Sequence, residues 1–162
     1  VNEIYKDLKS ANPNTKYYSF WTYGWIGQYE KLHKIGLITT FDITKIIDQS
    51  KTIGNIKVVA HMTEANTMDE LKDLGDTLLN SMKTGIGVLG AEGDKPMIVV
   101  VVSNDLIKEG LNAGSIAKSI GAEMGGGGGG KPHLATAGGK DLDSLKNALN
   151  KSFEIIDDFI KG

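Results

Sequence analysis

Three histidines, His33, His61 and His133, are spread along this 162-residue chain, and there is no cysteine. Without a thiol, disulfide scaffolds, thiolate metal sites and cysteine nucleophiles are all excluded. No serine, threonine or lysine is paired with a base at a readable spacing, and no set of histidines and carboxylates has metal-ligand spacing. The pattern that could do chemistry is a run of glycine, Gly125, Gly126, Gly127, Gly128, Gly129 and Gly130, followed by Lys131, Pro132 and His133. Held in fixed structure, each glycine costs about 0.5–1 kcal/mol relative to alanine. A chain that accepts this cost six times over uses the bare backbone for something. One use is as a flexible linker, but a linker here would strand the 32 residues that follow, which hold one clear helix and are too few to fold alone. The other is a loop whose uncovered N–H groups allow close approach of an anion, with the Lys131 charge beside them.

Gly125, Gly130 and Lys131 fit the first seven positions of the phosphate loop G-x-x-x-x-G-K. Pro132 stands where that loop needs a serine or threonine for magnesium, and residues 113–124 read as a helix where a buried strand should precede. A nucleotide hydrolase is therefore not expected, and a dinucleotide fingerprint fails for the same reason. Eighteen lysines, with no arginine, face twenty acids for a net charge of −2, so the chain as a whole has no electrostatic footprint for nucleic acid. Local balance differs. Residues 51–110 carry six lysines against nine acids, whereas residues 111–140 carry Lys118, Lys131, Lys140 and His133 against Glu123 alone. Any positive field sits around the glycine run.

The elements that must position this run can be read from periodicity. At 40% hydrophobic and 23% charged residues, the composition suits one buried core and not a disordered chain. The longest apolar run, Met97 to Val102, is far too short to span a bilayer, and residues 1–10 have no apolar stretch, so neither a membrane span nor a secretory signal is expected. Residues 1–52 read as a small, mainly helical appendage: a break at Ser10–Asn14, seven aromatics between Tyr17 and Tyr29, and a helical pattern at Phe41, Ile43, Ile46 and Ile47. From residue 53 to 162 the pattern is that of a globular domain. Asn55–Met62 reads as a strand, and Thr67 with Glu70 forms a capping box for a helix through Met82. Gly85–Ala91 and Met97–Ser103 read as a hairpin, Ala113–Met124 as a short helix, and Asp141 as the N-cap of a helix through Lys161. The order predicts an α/β (α+β) domain with a single mixed β-sheet and packed helices.

The stretch Gly125–Asp141, GGGGGGKPHLATAGGKD, resembles the glycine-rich signature of the C-terminal domain of alanyl-tRNA synthetase, whose usual form is close to GGxGGGRPDMAQAGGKD. Gly110–Ser115 is similar to a second segment of that family. Lys131 replaces the usual arginine, a point charge in place of a bidentate fork, and His133 replaces an aspartate. DHH phosphoesterases carry a shorter version of the motif, and no DHH triplet occurs in these residues.

The resemblance implies a non-catalytic, tRNA-binding piece of an alanine–tRNA ligase that contacts folded tRNA at the elbow and couples aminoacylation with editing. It implies tRNA-binding positions at Lys118, Gly125–Gly130, Lys131, Pro132, His133, Gly138, Gly139 and Lys140. The partners expected are alanine-accepting tRNA and the remaining synthetase domains, with a homodimer as a further option, in the cytoplasm. No cofactor is expected in this segment; ATP, magnesium and zinc would serve other domains. The alternatives are the oligonucleotide-binding domain of a DHH-type phosphoesterase and a dimerisation module driven by the Tyr17–Tyr29 aromatics.

Overall fold

Two strands that are apolar at every position, IGVLGA and MIVVVV, set the architecture, because a strand with no polar face must be covered on both sides. In the computed structural model, which describes residues 39–162, they form the middle of a six-stranded mixed sheet. The elements are α1 (Thr39–Asp48), β1 (Lys51–Ile53), β2 (Ile56–Thr63), α2 (Met68–Met82), β3 (Ile86–Ala91), β4 (Met97–Val102), α3 (Asn104–Lys108), α4 (Ala113–Glu123), β5 (Gly127–Gly130), β6 (Leu134–Gly138) and α5 (Leu142–Lys161). The strand order is β1-β2-β3-β4-β6-β5. Only β2 and β3 pair in parallel, with α2 as the crossover between them; all other neighbours are antiparallel. The α+β class and the single mixed sheet expected from the sequence are what the chain forms.

The chain divides into two units, Val1–Lys45 and Ile46–Gly162, and the sheet belongs to the second. The aromatic segment Tyr17–Tyr29 and the break at residues 10–14 lie outside the described residues. β1 straddles the boundary at residues 52 and 53 expected from the sequence, because three residues, Lys51–Ile53, are too few to carry a period. The five-residue α3 escapes the same reading for the same reason.

The pleat sorts the core into two layers. On one face Ile86, Val88, Ile98, Val100, Ala135 and Ala137 meet Ile116, Ala117 and Ile120 of α4 and Leu145, Ala148 and Ile156 of α5. On the other face Gly75 of α2 lies against Val99 and Val101, and Leu78 lies over Gly87. Leu71 and Leu78 are completely buried there. α2 starts as its capping residues dictate: the Thr67 hydroxyl accepts a hydrogen bond from the Glu70 N–H at 3.2 Å. The Glu70 carboxylate reaches back to the Asn66 N–H at 2.9 Å, one residue beyond the usual box partner. Asp141 caps α5 through the Ser144 N–H at 2.7 Å. An exposed Lys151–Glu123 pair at 2.7 Å ties α5 to α4, and its hydrogen bond raises the lysine pKa above the ordinary value.

Leu78 packs where α2 crosses the sheet, so truncation leaves a cavity that the strand backbones cannot close. Leu78→Ala is expected to lower the unfolding free energy by about 2–5 kcal/mol, read from the midpoint and slope of a urea denaturation curve.

Candidate functional site

The glycine run is partly turn and partly strand. Gly125, at φ +65°, and Gly126 carry the chain out of α4, and Gly127–Gly130 form the edge strand β5, paired with β6. The sequence reading of the whole run as a loop therefore differs from what is found. β-propensity is low for glycine, and what holds it in a strand is the ladder to β6 on one side and α4 lying on it. Gly127 pairs with Gly138, Gly128 with Ala137, Gly129 with Thr136 and Gly130 with Ala135.

α4 is placed by its own cap and by its glycines. The Asn112 side-chain oxygen accepts from the Gly114 and Ser115 N–H groups at 2.8 and 3.3 Å, and the Ala113 N–H donates to the Pro132 carbonyl at 2.9 Å. At the other end the Gly126 N–H donates to the Gly121 carbonyl at 3.0 Å. Between these points the helix backbone rests on the strand backbone. A Cβ at Gly128 would stand 2.2 Å from the Ala117 carbonyl oxygen, and one at Gly121 would stand 2.5 Å from the Gly127 carbonyl carbon. Neither contact can be made by any residue with a side chain.

That explanation reaches only the face of β5 that α4 covers. Gly127 and Gly129 point the other way, and a Cβ at either would meet nothing within 4 Å. Internal packing does not require them to be glycine. Their bare backbone forms the floor of an open groove of about 660 Å³, together with Thr136 and Gly138 of β6. One wall is the start of α2, from Asn66 to Met68; the other is the β3–β4 turn from Asp94 to Met97. The turn is seated by Gly93, at φ +44°, where a Cβ would come within 2.9 Å of the Asn66 carbonyl. The Gly139 N–H holds it from below by donating to the Pro96 carbonyl at 3.2 Å.

The residues singled out from the sequence fall into three groups. Gly127, Gly128, Gly129 and Gly138 line the groove. Lys131, Pro132 and His133, all exposed, form the β5–β6 turn at one end of the hairpin, closed by the Lys131 N–H donating to the Leu134 carbonyl at 2.9 Å. Gly125, Gly126, Gly139 and Lys140 gather at the opposite end, where the Lys140 N–H donates to the Met124 carbonyl at 3.4 Å. The strand between them spans roughly 10 Å at about 3.3 Å per residue, so Lys131 and Lys140 are not one cluster. Lys118 is exposed on α4, on the side of the sheet away from the groove. The walls, Asn66, Asp94 and Lys95, carry no sequence signal of their own, since a turn and a helix start read only as connections. Among the described residues no three His, Asp or Glu side chains are grouped to hold a metal ion.

A mixed sheet whose edge is a glycine strand under a helix defines a class. Residues 55–161 match the DHHA1 domain family, and the chain belongs to that family. More particularly, it is 34% identical over 125 residues to the alanine–tRNA ligase of Pelotomaculum thermopropionicum, covering 76% of this chain and 14% of that protein. It is 39% identical over 115 residues to the alanine–tRNA ligase of Natranaerobius thermophilus, covering 70% of this chain and 13% of that one. The chain thus spans a small part of the length of these ligases. Among solved structures it resembles the C-Ala domain from Aquifex aeolicus alanyl-tRNA synthetase, at a TM-score of 0.59 and 29% identity over 67% of this chain and 98% of that chain. The resemblance carried by Gly125–Asp141 holds across the whole domain.

The two faces of β5 separate packing from exposure experimentally. Gly128→Ala drives a methyl into the α4 backbone and is expected to destabilise by about 1–3 kcal/mol or more. Gly129→Ala faces open space and is expected to stay within about 1 kcal/mol of the parent. Paired urea titrations check both.

Proposed function

We propose that this chain is the non-catalytic, tRNA-binding C-terminal part of an alanine–tRNA ligase. The observation that carries the reading is the open face of Gly127 and Gly129: bare backbone at a sheet edge that packing does not call for. The similarity to ligases named for tRNA supports it. RNA folded into an L offers proteins 2′-hydroxyls, phosphates and exposed bases at its corners, and an uncovered backbone lets such a surface come within van der Waals distance. In this reading Lys131 and His133 at one end of the hairpin and Lys140 at the other would take phosphates on either side of that contact. In this reading the tRNA elbow rests on the glycine hairpin, and the domain helps present the acceptor end to aminoacylation and editing domains elsewhere in the protein. Those domains would use ATP, magnesium and zinc; this one uses none. The setting is the cytoplasm, and no helix among the described residues is long and apolar enough to cross a membrane.

A salt-titrated binding assay against alanine-accepting tRNA, an unrelated tRNA and a short single-stranded RNA tests the proposal. Folded tRNA is expected to bind in a salt-sensitive manner, and Lys131→Glu is expected to weaken all tRNAs together and to lower the salt slope by about 0.7–0.9. Preference for the short strand would favour the phosphoesterase branch of the family. No binding to any RNA would leave a structural or dimerising role.

A further inference from the structure

The groove beside the glycine strand is not built for a phosphate. Asp94 and Lys95 are adjacent in its wall and their formal charges cancel, while Lys118, Lys131 and Lys140 are not among its lining residues. Among the described residues no hydrogen bond or ion pair engages the side chains of Asp94, Lys95 or Asn66. A carboxylate only accepts hydrogen bonds, so Asp94 repels a phosphate and attracts an N–H group. The floor is flat and uncharged, and Gly127 and Gly129 leave it open to a planar ring at ordinary contact distance. Its volume of about 660 Å³ lies within the range that accepts one ligand-sized group, about 300–1,000 Å³.

We infer that this groove receives a nucleobase of the bound RNA, laid flat on the Gly127–Gly129 backbone, with its N–H edge on the Asp94 carboxylate and the Asn66 amide beside it. Carboxylates take amino groups of bases in this way, and the bare strand lets the face of a ring reach van der Waals distance. The phosphates on either side of the base remain with the lysines at the two ends of the hairpin. The inference rests on the tRNA-binding reading and deepens it: it assigns to the glycine face a base and not the backbone.

The sign of one substitution decides. Asp94→Asn removes a negative charge, so it strengthens binding if the groove holds a phosphate and weakens it if the groove holds a base edge. With the 162-residue chain and an alanine-accepting tRNA transcript, Asp94→Asn is expected to lower affinity about tenfold, the scale of one charge-assisted hydrogen bond, with an unchanged salt slope. Gly129→Val, which fills the floor without touching the core and so displaces the ring from its contact distance, is expected to lower affinity about tenfold as well. The melting temperature of each variant is measured alongside; should Gly129→Val not fold, Asp94→Asn decides alone. Affinity that rises in Asp94→Asn, or stays at the parent value in either folded variant while the parent binds, overturns the inference and leaves tRNA binding standing. A parent chain that binds no tRNA overturns both.

Discussion

The backbone of α4 lies against the backbone of β5, and the open face of the glycine strand depends on that contact. Helices usually pack on sheets through a layer of side chains, which keeps the two backbones apart. Here Gly121 on the helix and Gly128 on the strand remove that layer, and the Ala117 carbonyl sits where a strand Cβ would be. Covering one face of a glycine strand in this way, together with its ladder to β6, gives order to residues that have no side chains with which to order themselves. The entropy that each glycine loses on folding is offset by neighbours on two sides and not by anything the glycines contribute.

Order on the covered side is what makes the uncovered side usable. A linker of six glycines would sample many conformations and would lose that freedom again on meeting a ligand, whereas a strand held from behind presents a fixed flat surface. The groove walls are fixed independently: the Thr67 cap sets the start of α2, and Gly93 lets the β3–β4 turn settle against Asn66. Three segments far apart in the chain thus meet at one sheet edge.

The doubly covered centre of the sheet supplies the rigidity. β3 and β4 are buried at every position, and both layers of helices anchor on them. β6 takes its register from β4 and passes it on to β5, so the position of each glycine is referred back to the least exposed strands of the molecule. A surface built on the last strand of such a ladder moves only as much as the ladder does.

Much of this was readable from the residues in order. The two helix caps, the β3–β4 hairpin, the strand before α2, the long amphipathic α5 and the family signature at Gly125–Asp141 are local patterns, because capping, turn chemistry and side-chain periodicity act over a few residues. The glycine run stands out in the sequence as a candidate site but not as a strand, since glycine has no period and no side chain to mark a face. Which glycines are required by packing and which are free, that Lys131 and Lys140 stand at opposite ends while Lys118 faces away, and that Asn66 and Asp94 wall a groove were decided only by the fold. Those relations are set by strand register and by one helix lying on bare backbone, and no local pattern encodes them.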